Sequence, residues 1–211
     1  MTLYLRHDVH AVAIGEDLAL LDLARDAYLC LPDGAAALEP GVQAAIRPGA
    51  VADALQAGGL LGPGPPAAWP DLPPLPVRTL IHQPLSRAVS PRGLAAAVGV
   101  PADIRRARRG EGLVAWLALA EARRPLSRDA EAVAAAARQF WAVGAWLPVE
   151  GECLVRSAML VAFLRRMGLS ADWVFGVRLW PFAAHCWVQL GDLCLNDDVE
   201  RLWPYTPLYR R

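Results

Sequence analysis

The spacing of apolar residues divides the chain into a strand-rich beginning and a largely helical remainder. Residues 9–31 contain three short apolar runs, and two charged turns separate them, one around Gly15 and one around Arg25. This arrangement is typical of a three-stranded antiparallel meander. Ala-rich sequence over residues 34–46 then predicts helical structure broken by Pro40 and Gly41, and residues 50–56 predict a second short helix.

A proline-rich segment separates this part from the rest. Seven of the fifteen residues in 62–76 are Pro, and this composition favours an extended, semi-rigid spacer. We therefore expect a small N-terminal domain over residues 1–61 and a larger domain over residues 77–211. A chain of 211 residues is long enough to bury a core in such an arrangement.

The larger part begins with helices and ends with strands. Helical periodicity is found in five segments: 93–98, 101–108, 111–123, 128–143 and 153–167. The period then changes to that of strands over 171–179 and 183–190. Gly191-Asp192 is a hairpin signal before a return strand that begins at Leu193. Helices followed by a small antiparallel sheet predict an α+β fold.

Composition and charge exclude several classes of function. The formal net charge is zero, so charge gives no reason to expect a nucleic-acid or membrane partner. The chain has no Lys, which excludes a Schiff-base enzyme and a P-loop. The stretch MTLYLRHDVH has no apolar signal region, and no apolar run has the length of a membrane span. We therefore expect a cytoplasmic protein whose four Cys are free thiols.

Three residues of the larger part have the types and the order that a thiol-based catalyst needs. A cysteine nucleophile requires a thiolate, a base and a group that orients the base. Cys153 stands at a predicted helix start, where the helix dipole favours the thiolate. His185 lies on a strand, and Asp197 follows the hairpin. A two-residue turn would place Asp198 opposite His185 instead, so the spacing leaves both carboxylates open.

Packing is the alternative interpretation of these side chains. A lone Cys is more often a small buried apolar residue than a nucleophile. Cys186 and Cys194 are expected to be packing residues. Adjacent residues of a strand point to opposite faces, so Cys186 and His185 are poorly placed to share a metal ion. We expect neither a metal site nor a cofactor. Trp187 lies on the same face as His185 and is a candidate wall of the active site.

Four short motifs in the last third of the chain recur together in a known family. They are CLVRS from Cys153, GVR from Gly176, PFAAHCWV from Pro181, and ND at Asn196 and Asp197. Together they resemble the transglutaminase-like B proteins of lasso-peptide biosynthesis. The resemblance implies a papain-like cysteine peptidase that removes the leader from a ribosomally made precursor, with Cys153, His185 and Asp197 as its triad. The chain departs from the family at Cys186, where Ala is usual, and at Gln189, where an acid is common.

The stretch LALLDLARDAYLCL in the N-terminal part resembles the PqqD-like precursor-recognition element. This second resemblance implies a winged-helix-like domain that binds a leader peptide by adding it as a strand to an exposed sheet edge. We expect five side chains of the last strand and the following helix to form the groove: Tyr28, Leu29, Cys30, Val51 and Leu55. The alternative is that these side chains belong to the core of the small domain.

The two resemblances together predict a leader peptidase that carries its own leader-binding module. Docking on the first domain would raise the effective concentration of the cleavage site near Cys153. The resembled family also implies a separate ATP-dependent cyclase of the asparagine-synthetase type as a partner, and this chain has no nucleotide-binding motif of its own. Two alternatives are an acyltransferase that uses the same triad with an amine acceptor, and a non-catalytic leader-binding scaffold.

Overall fold

The computed structural model describes residues 2–42, 44–66, 71–84, 88–144 and 152–211. Its strands are β1 (Leu3–Leu5), β2 (Val9–Ile14), β3 (Asp17–Asp22), β4 (Ala27–Leu31), β5 (Ala45–Ile46), β6 (Leu61–Gly62), β7 (Arg78–Thr79), β8 (Asp172–Arg178), β9 (Ala183–Leu190), β10 (Leu193–Cys194) and β11 (Thr206–Arg210). Its α-helices are α1 (Ala50–Ala57), α2 (Pro91–Arg109), α3 (Gly112–Leu117), α4 (Ala130–Gly144), α5 (Cys153–Arg166) and α6 (Val199–Leu202). The predicted α+β class is confirmed, with a strand-rich N-terminal part.

Strands β2, β3 and β4 form the predicted meander, in that order across the sheet. Gly15, with φ of 62°, occupies the first turn, where a left-handed conformation suits glycine. The buried carboxylate of Asp22 closes the second turn by accepting the N–H groups of Ala24 and Arg25, each at 3.1 Å. Among the described residues β4 pairs with β3 alone, so its other edge carries unpaired backbone groups.

The segment after the meander differs from the predicted pair of helices. Helix α1 is confirmed, but residues 34–46 form a short 3₁₀ turn over Ala35–Ala37 and then strand β5. Pro40 lacks a backbone donor and Gly41 has φ of 73°, and both oppose a continuous helix. Strand β5 instead pairs with β1, which also pairs with β6, in a second small sheet that the sequence did not predict.

The larger part combines the helices with a five-stranded sheet. The order of the sheet is β11-β8-β9-β10-β7, antiparallel except for the parallel pair of β10 with β7. Helix α2 is one helix that passes through Pro101, whereas the sequence predicted two segments. The Ser90 hydroxyl caps its start by accepting the N–H of Gly93 at 3.0 Å.

One hydrophobic core joins the meander to the larger part. Ala19 and Leu21 of β3 belong to the same buried cluster as Met159 of α5 and Phe175 of β8. The proline-rich segment also contacts the sheet, because the Pro74 carbonyl accepts a hydrogen bond from the Gln189 amide at 3.0 Å. The boundaries of the two domains stay a prediction. Within the described residues, none of the helices is long and apolar enough to cross a membrane.

Candidate active site

The candidate site lies where the N-terminus of α5 meets strand β9. Helix α5 begins at Cys153, so its thiol lies at the positive end of the helix dipole. His185 lies on β9, and its Nε2 donates a hydrogen bond to Oδ2 of Asp197 at 2.7 Å. The side chain of His185 also interacts with that of Cys153, and each of the two shifts the pKa of the other. The three residues predicted as a triad are therefore connected.

The choice between the two neighbouring aspartates follows from how β10 ends. The hairpin has a two-residue turn, which by regular pairing would carry Asp198 to His185. The side-chain oxygen of Asn196 instead accepts the N–H of Val188 at 2.7 Å, in place of a backbone carbonyl. The chain thus leaves the strand ladder after Leu195, and Asp197 reaches His185.

Asp198 has a different set of contacts. Its side chain accepts the N–H of Glu200 at 3.3 Å at the start of α6, and it pairs with His82 at 2.9 Å. Asp197 is held more firmly: Thr79 donates to its backbone carbonyl at 2.6 Å, and Arg156 contacts Oδ2 at 3.3 Å. Only Asp197 is in a position to orient the imidazole.

The protonation states favour a thiolate–imidazolium pair. The hydrogen bond from Cys186 is the strongest influence on the pKa of Cys153, and it lowers this pKa. Burial acts to raise the pKa, whereas the hydrogen bond to His185 lowers it further. The resulting pKa of Cys153 is about 4. Burial acts to lower the pKa of His185, but the hydrogen bonds to Asp197 and Cys153 outweigh it and raise the pKa to about 9. Between these values the proton resides on the imidazole, which is the reactive form of a cysteine nucleophile.

Asp197 remains ionised beside the imidazolium. Burial acts to raise the pKa of this carboxyl, which is 2% exposed, but the hydrogen bond from His185 outweighs burial and the pKa is lowered. A carboxylate that accepts from Nε2 fixes the orientation of the ring and stabilises its positive charge.

Cys186 takes part in the site, although the sequence suggested packing alone. Burial raises the pKa of its thiol, which therefore stays protonated, and its single proton can be donated either to the Ser157 hydroxyl or to the Cys153 thiolate. Its Sγ is 3.8 Å from the hydroxyl of Ser157, which lies one turn after Cys153 on α5. The polar Ser157, among the buried residues of α5, is a sequence signal that could have indicated this contact.

A buried hydrogen-bond network fixes α5 against the strand that carries His185. The Ser157 hydroxyl donates to the carbonyl of Cys186 at 3.1 Å and accepts from the Asn196 amide at 2.8 Å. Ser157 is fully buried and Asn196 is 3% exposed. Because satisfied buried networks specify one arrangement of the elements they join, this network sets the distance between nucleophile and base.

Trp187 lies beside the imidazole but in the interior. Its ring is fully buried and stacks next to His185 with ring centres 6.3 Å apart, and its Nε1 donates to Gln189 at 2.6 Å. Gly176 pairs with His185 across the sheet, and a Cβ at Gly176 would lie 2.8 Å from the Trp187 ring. Trp187 supports the histidine from the inner side.

The five side chains predicted to bind a leader lie on two faces of the meander. Tyr28 and Cys30 pair with residues of β3 that face the core shared with the larger part. Leu29 points to the other face and is 39% exposed. Leu55 is 1% exposed in the core on that second side, and Val51 packs against the same core. A role of these residues in peptide binding stays a prediction.

Tyr28 connects the meander to the candidate site. Its ring contacts Phe182, just before β9, with ring centres 5.9 Å apart. Burial raises the pKa of the Tyr28 phenol, and the nearby thiols of Cys186 and Cys153 add to this effect. Trp180 strengthens the same junction by donating from Nε1 to Asp17 at 2.8 Å.

Comparison with known proteins places this site in a family. No curated protein and no solved structure matches the chain. Within the described residues, no group of three or more His, Cys, Asp or Glu side chains is arranged to hold a metal ion. Residues 96–210, which span more than half of the chain and include α5, β9 and Asp197, match the sequence profile of the transglutaminase-like superfamily. The chain belongs to the transglutaminase-like superfamily.

Proposed function

We propose that this protein is a cysteine leader peptidase that cleaves a ribosomally made lasso-peptide precursor between its leader and its core. The observation that carries the proposal is the set of Cys153, His185 and Asp197 at the start of a helix, in a protein whose meander has an edge strand. The match to the transglutaminase-like superfamily supports the proposed thiol chemistry. The resemblance of the meander to precursor-recognition elements supports a leader peptide as the substrate.

The geometry supports a two-step hydrolysis. The Cys153 thiolate attacks the carbonyl carbon of the scissile amide, and the His185 imidazolium gives its proton to the departing amine. A thioester remains on Cys153. His185, now neutral, takes a proton from water, and the resulting hydroxide attacks the thioester and releases a carboxylic acid. The first backbone N–H groups of α5 have no acceptor within the helix and are candidates to stabilise the oxyanion.

Strand β4 is the proposed dock for the leader. Its unpaired edge can accept an added strand, and side chains on both faces would then contact the peptide. Tyr28 of this strand contacts Phe182, just before the strand that carries His185, so a peptide bound at β4 has a short path to the candidate site. Because the meander shares a core with the larger part, the dock is held in place rather than loosely tethered.

Hydrolysis and acyl transfer share the first chemical step. The superfamily match supports a thioester-forming enzyme of either kind, and an amine in place of water would make the protein an acyltransferase. The leader-binding resemblance favours hydrolysis. The four free cysteines suit a cytoplasmic site of action, and an ATP-dependent cyclase of the asparagine-synthetase type is the proposed partner for ring closure.

The test is cleavage of the cognate precursor peptide, with and without the cyclase. We expect the wild type to release the leader and the Cys153→Ala variant to bind the leader without cleaving it. Mass spectrometry identifies the products, and fluorescence anisotropy of a labelled leader reports binding. Cleavage that is undiminished in the Cys153→Ala variant would show that the proposed mechanism is wrong.

A further inference from the structure

Arg178 lies next to the candidate site and has no polar side-chain partner among the described residues. It ends β8, two residues beyond Gly176, which pairs with His185, so Arg178 and His185 share one face of the sheet. The guanidinium carbon lies 5.8 Å from the centre of the Tyr205 ring. The same ring is 5.2 Å from the imidazole of His185. Tyr205 therefore bridges the arginine and the histidine.

The hydrogen-bonding capacity of Arg178 is unused in the part of the chain that the structure describes. Its Nε is buried and has no hydrogen-bond partner, and the guanidinium makes no ion pair with any described carboxylate. By contrast, Arg156 of α5 pairs with Asp197, and Arg210 on the neighbouring strand pairs with Asp172. A partly buried guanidinium with five donors requires acceptors, or its burial is costly.

We propose that Arg178, stacked on Tyr205, forms an anion subsite that binds a carboxylate of the peptide substrate. A carboxylate matches the planar guanidinium with two parallel hydrogen bonds, and it supplies the missing countercharge. The carboxylate is either an Asp or Glu side chain or the C-terminal carboxylate, since both present the same group. The subsite adds detail to the proposed function. It rests on that function in one respect, which is that Cys153 is the reacting group.

The chemistry indicates which part of the substrate carries this carboxylate. His185 protonates the amine that departs, so the segment on the C-terminal side of the scissile bond lies beside the imidazole. Arg178 is on the His185 side of the site. The subsite therefore selects for an acidic group in the released segment, which in a leader peptidase is the mature peptide.

A set of alkylating probes tests this subsite without a known substrate. Each probe is an amino acid whose amino group is iodoacetylated and therefore uncharged, and whose methylene chain is lengthened step by step. Each has a matched neutral control with a carboxamide in place of the carboxylate. The Cys153 thiolate displaces iodide, and peptide mapping by mass spectrometry measures the alkylation rate at Cys153. At the chain length that reaches Arg178 we expect the acid to react about tenfold faster than its amide.

Three variants make the result specific. Arg178→Gln is expected to abolish the maximum in the acid-over-amide rate ratio at the chain length that reaches position 178. Arg178→Lys keeps the charge and is expected to retain part of the preference. Arg109→Gln removes an equal charge from the exposed end of α2 and is expected to react like the wild type. The positive charge of His185 favours acids too, but this effect is greatest for the shortest probe and persists in Arg178→Gln.

Two outcomes would overturn the inference. The first is a wild-type preference for acids that shows no maximum with chain length. The second is a maximum in the acid-over-amide rate ratio that survives Arg178→Gln. If Cys153 reacts with none of the amide probes, the result counts against the proposed function instead. The two failures are therefore distinguishable. Once the peptide substrate is known, replacing its acidic side chain and amidating its C-terminus separate the two sources of the carboxylate.

Discussion

Replacing Cys186 tests how the reactive thiolate is stabilised. The hydrogen bond from Cys186 is the strongest influence that lowers the pKa of Cys153, which lies at about 4. Cys186→Ala removes this donor and leaves the helix dipole and His185 in place. It also introduces the residue that is usual in the resembled family. We therefore expect a thiolate that is less stable but still present at neutral pH.

The size of the effect follows from the strength of one hydrogen bond to a charged group. Such a bond contributes about 1.5–3 kcal/mol, and a thiol is a weak donor, so the lower end applies. One pKa unit corresponds to about 1.36 kcal/mol. The pKa of Cys153 should therefore rise from about 4 to about 5 in Cys186→Ala.

The assay is the pH dependence of iodoacetamide alkylation at Cys153, read by peptide mapping. In the wild type the rate should rise with an inflection near pH 4 and change again near pH 9, where His185 loses its proton. Cys186→Ser is expected to keep the lower inflection, because its hydroxyl also donates. Cys194→Ala removes a buried thiol from the cluster around Trp187 and should leave the profile unchanged.

The reasoning is refuted if Cys186→Ala titrates like the wild type. It is also refuted if Cys186→Ser moves the inflection as far as Cys186→Ala does. In that case packing at this position, and not hydrogen bonding, would control the thiolate.

Three further substitutions test the frame around the site, each by urea unfolding. Gly176→Ala should destabilise by about 1–3 kcal/mol because its Cβ would lie 2.8 Å from Trp187; Gly64→Ala, where the Cβ meets no atom within 4 Å, is the control. Asn196→Ala should cost about 1–3 kcal/mol because it leaves the buried N–H of Val188 without its acceptor and removes the amide that donates to the Ser157 hydroxyl. Asp103→Asn should cost up to about 3 kcal/mol by breaking its pairs with two arginines of α5. Burial acts to raise the pKa of Asp103, but the arginines outweigh it and lower the pKa, so this stabilisation is present above about pH 4 and lost as the pH falls. Equal stability of Asn196→Ala and the wild type would contradict the proposed network.

Long periodic segments were predictable because burial dictates their pattern. Helix α5 and strands β8 and β9 lie within one residue of the bounds that the sequence indicated. The order of Cys153, His185 and Asp197 also led to three side chains that the structure connects. These features depend on periodicity and on residue type, which a single sequence displays directly.

Features that depend on one tertiary contact were not predictable. The strands of the second small sheet have only two or three residues, too few to display a period. Spacing could not separate Asp197 from Asp198, because the Asn196 side chain ends the ladder of β10 early. The role of Cys186 arises from its contact with α5, far away in the sequence.

The most direct test of the account is cleavage of the precursor in water enriched in oxygen-18, with a primary amine added as a competing acceptor. A hydrolase that works through Cys153 should release a leader whose new carboxylate carries one heavy oxygen atom. The Cys153→Ala variant should release none. A leader that ends in the added amine, or a labelled leader released equally by the variant, would contradict the claim that Cys153 carries the peptide as a thioester to water.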